Sequence, residues 1–174
     1  MNGTPALRFA NGDVTKVTPN EKPIVIPHIC NDEGKWGAGV SGSIGKAFPE
    51  AEKHYRSLDR YVLGTVDVIK GGDNLFIANM IAQHSIGSKE SAVLFEPENS
   101  PLRLHRPPIR YGALSRAMRL VRNFCYADGK PWCTIHAPRF GTALAGGNWE
   151  TIQGLINEMW LDDGIEVTIY NYAK

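Results

Sequence analysis

Two glycine-rich stretches hold the residues whose types and spacing suit chemistry. The longer, His136-Ala-Pro-Arg-Phe-Gly-Thr-Ala-Leu-Ala-Gly-Gly-Asn-Trp149, leaves an apolar run at 132–136 and ends where a helical pattern begins. Glycine permits positive φ and close approach of the backbone. A glycine loop that opens onto a helix N-terminus presents free N–H groups and the positive end of the helix dipole to an anion such as a diphosphate. Asn148 suits the N-cap of that helix. An ordinary strand–loop–helix turn remains the alternative. The second stretch, Gly37-Ala-Gly-Val-Ser-Gly-Ser-Ile-Gly45, formally matches the dinucleotide GxGxxG pattern. Six polar or bulky residues part it from Cys30, however, whereas that fingerprint begins at a strand end. His28 lies at the end of the strand, and Asn31, Asp32 and Glu33 lie between strand and loop. A histidine with an ordinary pKa can orient a water or exchange a proton at neutral pH. The alternative is a core histidine tethered to backbone. Asn31 is either a ligand contact or an Asx turn that ends the strand.

The elements that must position these residues alternate in kind. Short strands are expected at 7–10, 23–30, 61–69, 75–82, 132–136 and 165–172, the third and fourth joined by a Gly71-Gly-Asp-Asn turn. The continuous apolar run at 23–30 suits a strand covered on both faces. Pro49 is placed at a helix start. Helical spacing runs from Arg110 to Tyr126, where Arg116, Arg119 and Arg122 fall off the apolar stripe as a solvated face, and again over 150–161. Strands alternating with helices imply an α/β domain, and the adjacent strands 61–69 and 75–82 make the sheet mixed. In an open α/β sheet, ligands bind beyond the carboxyl ends of strands. Both glycine loops follow strands, so both are expected at one cleft, with Gln83 and His84 within reach. Residues 85–108 contain four prolines and form an insertion too long for a simple connection.

Composition sets outer limits. With 174 residues, 43% of them hydrophobic, the chain is read as one folded domain, 1–174. A formal net charge of +1 argues against a general nucleic-acid-binding surface. No apolar run reaches the length of a membrane span, and the first residues lack a secretory signal. Cys30, Cys125 and Cys133 form no CxxC pair and read as buried thiols of a reducing, cytoplasmic compartment. The five histidines lack zinc-ligand spacing, so no metal and no cofactor are expected.

Five segments in order carry a resemblance. Asn11-Gly-Asp-Val-Thr, His28-Ile-Cys-Asn-Asp-Glu-Gly-Lys-Trp-Gly-Ala-Gly-Val, Phe48-Pro-Glu-Ala-Glu-Lys-His-Tyr, Pro138-Arg-Phe-Gly-Thr-Ala-Leu-Ala-Gly-Gly-Asn-Trp-Glu and Glu166-Val-Thr-Ile-Tyr resemble the macro domain family, which binds ADP-ribose. The nearest branch holds the ADP-ribose 1″-phosphate phosphatases and the terminal ADP-ribose protein glycohydrolases. The resemblance implies a three-layer α/β/α sandwich with about six strands. It implies a monomer that binds ADP-ribose or a derivative, and either a hydrolase acting at C1″ or a non-catalytic binding module. By resemblance, Gly12, Asp13 and Val14 meet the adenine. Ile29, Cys30 and Asn31 approach the distal ribose. Trp36, Gly37, Ala38, Gly39, Val40 and Ser41 wrap that ribose and one phosphate. Arg139, Phe140, Gly141, Thr142, Ala143, Leu144, Ala145, Gly146 and Gly147 cradle the diphosphate, and Tyr170, Asn171 or Tyr172 border the adenine. His28 and Asn31 are the catalytic candidates. The glycohydrolase branch uses a lysine just after the strand that corresponds to 75–82, and an aspartate in the phosphate loop. Here those positions are Ala82 or Gln83, and Ala145, so a lysine-linked intermediate is not expected.

Overall fold

A computed structural model describes residues 5–86 and 107–172; most of the expected 85–108 insertion lies outside them. In chain order the strands are β1 (Arg8–Asn11), β2 (Ile24–Asn31), β3 (Val66–Gly72), β4 (Leu75–Gln83), β5 (Tyr126–Ala127), β6 (Lys130–Pro131), β7 (Thr134–Pro138) and β8 (Val167–Asn171). The helices are α1 (Gly39–Ala47), α2 (Pro49–Arg56), α3 (Tyr111–Phe124) and α4 (Trp149–Ile156), the last running into a π turn at Asn157–Leu161. The six long strands form one sheet in the order β1-β8-β7-β2-β4-β3, parallel throughout except for the β3–β4 hairpin.

Strand periodicity sorts the core into two layers. On β2 and β4, Val25, Ala78, Met80 and Ala82 face α3 and α4. Their neighbours Ile24, Ile26, Leu75 and Ile77 face α1 and α2. Both faces are buried, which is why β2 reads as an unbroken apolar run. On α3, Ala113, Leu114, Ala117, Met118 and Val121 recur at helical spacing and are buried, while Arg116 and Arg119 stay exposed. Arg122 pairs with Asp163 at 2.6 Å. The Trp160 indole N–H donates to the Met118 carbonyl at 2.9 Å and joins the π turn to α3. Asn148 caps α4, its Oδ1 accepting from the Thr151 N–H at 2.9 Å.

Several boundaries differ from the sequence expectation. Strand β3 begins at Val66 rather than Tyr61: Gly64 turns the chain at φ +92°, and the Tyr61 ring packs on Tyr55 with centroids 5.0 Å apart. Strand β7 begins at Thr134 because Trp132 is drawn to the end of α3, where its indole N–H donates to the Phe124 carbonyl at 2.7 Å. The small β5–β6 hairpin was not anticipated. Its turn residues Asp128 and Gly129 both have positive φ, so the Asp-Gly pair was the readable signal. The largest difference is α1, expected as loop and found as helix. Three glycines at about 1 kcal/mol each disfavour it. Burial of Ile44 and Gly45 outweighs that cost: a Cβ on Gly45 would sit 2.6 Å from Trp36 Nε1 and 2.7 Å from Glu52 Oε2.

Leu114 is fully buried on α3, whereas Leu120 on the same helix is 41% exposed. Leu114→Ala is therefore expected to cost about 2–5 kcal/mol in urea unfolding, and Leu120→Ala less than about 0.5 kcal/mol.

Candidate functional site

The carboxyl ends of the parallel strands open onto two cavities. The smaller, about 150 Å³, lies at the ends of β2, β4 and β7. The larger, about 790 Å³, lies beyond β1, β7 and β8. Ala38, Gly39, Val40 and Ala143 line both, so the two form one cleft with a waist between the start of α1 and the loop after β7.

The waist is rich in unused N–H groups. Ala38 precedes α1 without a side-chain cap, which leaves the first turn of the helix unsatisfied and its dipole directed at the cleft. In the facing loop, the Gly146 N–H donates to the Ala143 carbonyl at 3.0 Å and the Gly147 N–H to the Gly141 carbonyl at 2.7 Å. Among the described residues, the N–H groups of Thr142, Ala143, Leu144 and Ala145 have no hydrogen-bond acceptor. Arg139, stacked over Trp149 at 4.7 Å, adds a cation to this rim.

The smaller cavity gathers Ile29, Cys30, Asn31, Trp36, Gly37, Ser41, Arg139, Phe140, Gly141, Leu144 and Ala145 beside the four shared residues. The larger gathers Gly12, Asp13, Val14 and Tyr170 with Tyr172. Sequence reasoning missed Lys35 and Ile86 in the first, and Thr15, Gly42, Ser43, Ile44, Lys46 and Pro138 in the second; each adjoins an identified segment, and no type or spacing marks it. His28, Thr142, Gly146, Gly147 and Asn171 line neither cavity. Gly146 has φ +67°, and a Cβ there would meet Pro107 at 3.0 Å. A Cβ on Gly147 would meet the Gly141 carbonyl oxygen at 2.5 Å. Both glycines fold the loop on itself and face away from the cleft. The Asn171 carbonyl accepts from the Gly12 N–H at 3.0 Å, which holds the β1 end in place.

His28 is sealed beneath the cleft floor. It is fully buried, and its Nε2 lies 2.6 Å from Asn79 Oδ1. Asn79 Nδ2 donates to the Ala51 carbonyl at 3.0 Å, so Oδ1 is the acceptor and His28 carries its proton on Nε2. Nδ1 then faces the Ser41 hydroxyl at 3.4 Å. Burial lowers the pKa from 6.5 to about 4, against the Asn79 hydrogen bond, which raises it. The neutral imidazole is enclosed in the core, and its tether is the Asn79 side chain rather than the backbone of the alternative reading.

Asn31 is likewise occupied. Its Oδ1 accepts from the Glu33 N–H at 2.9 Å and the Lys35 N–H at 3.1 Å, and its Nδ2 donates to the Lys35 carbonyl. The side chain closes the 31–35 turn and shapes the cavity wall. The Tyr55 hydroxyl donates to the Asn31 carbonyl at 2.6 Å. Burial raises the Cys30 thiol pKa, which keeps it a neutral wall residue rather than a nucleophile.

Asp13 has a local role too. Its Oδ1 accepts from the Thr15 N–H at 2.9 Å and the Thr15 hydroxyl at 2.8 Å, capping the 3-10 turn Val14–Lys16. Below the larger cavity, the Tyr170 hydroxyl lies 2.9 Å from His136 Nδ1. Among the described residues no group of three or more His, Cys, Asp or Glu is placed to hold a metal, and no helix is long and apolar enough to cross a membrane.

No protein-family model matches the chain. It is 23% identical to a Candida albicans ADP-ribose 1″-phosphate phosphatase over 169 residues, 94% of this chain and 98% of that protein. A solved Bacteroides thetaiotaomicron protein of unknown function superposes with a TM-score of 0.82 at 31% identity, over 98% of this chain and all (100%) of that one. A Streptomyces coelicolor macrodomain protein superposes with a TM-score of 0.74 at 27% identity, over 97% of this chain and 100% of that one.

Because His28 is neutral when folded and titrates near 6.5 when unfolded, protons favour the unfolded chain as pH falls. Its contribution to stability is whole above pH 6.5 and is lost between pH 6.5 and about 4, a loss of about 3 kcal/mol at 1.36 kcal/mol per unit. Urea unfolding of wild type and His28→Gln at pH 4 to 7 is expected to show a steeper acid decline for the wild type.

Proposed function

The chain belongs to the macro domain family, and on that premise we propose that it binds ADP-ribose through the two-cavity cleft and hydrolyses a derivative substituted at C1″. The observation that carries this reading is the cleft itself. It has a roomy end beside Asp13 and Tyr170, a waist of unpaired N–H groups, and a small pocket beyond. The ligand has the same order of parts: adenosine, diphosphate, distal ribose. The uncapped start of α1 and the 142–145 N–H groups supply the anion-binding dipoles that a diphosphate needs. The larger cavity accepts the adenosine, with the second oxygen of Asp13 free to receive the adenine amine while the first caps Thr15. The smaller cavity accepts the distal ribose and brings C1″ to the ends of β2 and β4. Binding energy from the adenosine and diphosphate then positions C1″ for attack by water. The similarity to a phosphatase over nearly the whole chain supports hydrolysis.

A binding module without turnover is the second reading. Its support is that the smaller cavity has no carboxylate or histidine in its wall among the described residues. Phosphate release from ADP-ribose 1″-phosphate, measured beside calorimetry with ADP-ribose, separates the two readings: the enzyme releases phosphate, and the module binds without release.

ADP-ribose is expected to bind more tightly than AMP or ribose 5-phosphate. Asp13→Asn keeps the Thr15 cap but presents an amide donor where the adenine amine needs an acceptor. Calorimetry is expected to show about tenfold weaker ADP-ribose binding, roughly 1.4 kcal/mol, with the melting temperature unchanged. Equal affinity in the two proteins makes Asp13 a cap and nothing more.

A further inference from the structure

The wall of the smaller cavity has no carboxylate or histidine among the described residues, yet an acid–base pair directly follows its last two strand residues, outside the lining itself. Asn31 and Gln83 are register partners at the ends of β2 and β4, and both line the cavity. The residues that follow the two strand ends are Asp32 and His84. Asp32 Oδ2 lies 2.9 Å from His84 Nδ1. The other carboxylate oxygen accepts from the Ser85 N–H at 3.1 Å. The backbone fixes both partners: the Asp32 N–H donates to the Gln83 carbonyl at 3.1 Å and the His84 N–H to the Pro108 carbonyl at 2.8 Å. Ser85 is held at φ +58°, a conformation that a non-glycine residue adopts at a cost and that concentrates at functional sites. The two side chains are 16% and 25% exposed, within reach of water yet not free in it.

This arrangement has a chemical direction. A carboxylate on Nδ1 holds neutral histidine with its proton there and leaves Nε2 as the acceptor. Among the described residues Nε2 has no hydrogen-bond partner. Glu33 is not available to compete for the ring, because its carboxylate is taken by Lys35 at 2.6 Å and the Ser85 hydroxyl at 3.0 Å. Those contacts, the Lys35 hydrogen bond foremost, lower its pKa.

We propose that the Asp32–His84 pair is the general base of the C1″ hydrolysis: His84 Nε2 activates the attacking water and Asp32 orients the ring and stabilises its cation. The inference rests on the function proposed above. With a phosphate at C1″, the water oxygen bonds to phosphorus as its proton passes to Nε2. The bond from phosphorus to the C1″ oxygen breaks, and its electron pair stays on that oxygen. The imidazolium then returns the proton to that oxygen, leaving ADP-ribose and inorganic phosphate.

The test uses the full chain, with His84→Gln and Asp32→Asn beside wild type. Phosphate release from ADP-ribose 1″-phosphate is followed from pH 5 to 9, with ADP-ribose affinity by calorimetry and melting temperature on the same preparations. His84→Gln is expected to lower kcat by roughly 10²–10⁴, to leave the ADP-ribose Kd within about threefold, and to abolish the acidic limb of the pH–rate profile. Asp32→Asn is expected to lower kcat less and to keep the acidic limb that His84→Gln removes. A clasp with only a structural role gives another pattern: Kd rises and the melting temperature falls in both variants, and the acidic limb stays in place. That result overturns the proposal. Wild type that binds ADP-ribose but releases no phosphate also overturns it while sparing the binding reading, whereas wild type that does not bind ADP-ribose overturns both.

Discussion

The buried hydrogen bond between His28 and Asn79 is the constraint from which the cleft is built. It joins register partners on the adjacent central strands β2 and β4. Each partner also reaches a helix of the overlying layer: Asn79 donates to the Ala51 carbonyl of α2, and His28 faces the Ser41 hydroxyl of α1. One buried polar cluster thereby sets the strand register and docks both helices. A buried polar group without its partner costs about 1–3 kcal/mol, so a one-residue slip of β4 would be penalised here as well as in the apolar layers. Placing α1 also places its uncapped N-terminus, which forms one side of the waist.

Above that floor, the ends of β2 and β4 depart from regular pairing. Cys30 pairs with Ile81, but Asn31 pairs with Gln83, so Ala82 is an extra residue on β4. Bulges of this kind re-aim side chains at the rims of sheets. The displaced Ala82 carbonyl accepts from the Arg110 N–H at 2.9 Å, which ties the start of α3 to the same point. The shift brings Gln83 to the cavity and His84 to Asp32. The opposite wall is made differently. The loop after β7 closes on its own glycines, leaving the N–H groups of 142–145 to face the cleft without an acceptor among the described residues.

Much of the layout was legible along the chain. The apolar run of β2, the helical stripe of α3, the Asn148 cap and the mixed sheet are local patterns, and packing honours them. The meeting of the two glycine stretches at one cleft followed from both lying after parallel strands. The misread segments are those where a distant contact overrode local preference. Gly39–Ala47 became helix because Ile44 and Gly45 are buried, and Tyr61 left the strand for Tyr55. Gly146, expected in the phosphate cradle, lines neither cavity, and a Cβ on it would meet Pro107; composition alone does not say which way a glycine loop turns.

By itself, then, the sequence determined the order of the six sheet strands with α2, α3 and α4, and the family motifs in their succession, because periodicity and turn chemistry act between residues close in the chain. The state and direction of individual side chains were decided by the tertiary structure alone. His28 meets Asn79 across 51 residues and Asp32 meets His84 across 52, so no spacing announces either pair. Both depend on β2 and β4 becoming neighbours in the sheet. The same strand pairing buries one histidine as a neutral member of the floor and leaves the other at the surface beside a carboxylate. Solvent access and hydrogen-bond partners, which distinguish two identical imidazoles, exist only once the sheet has formed.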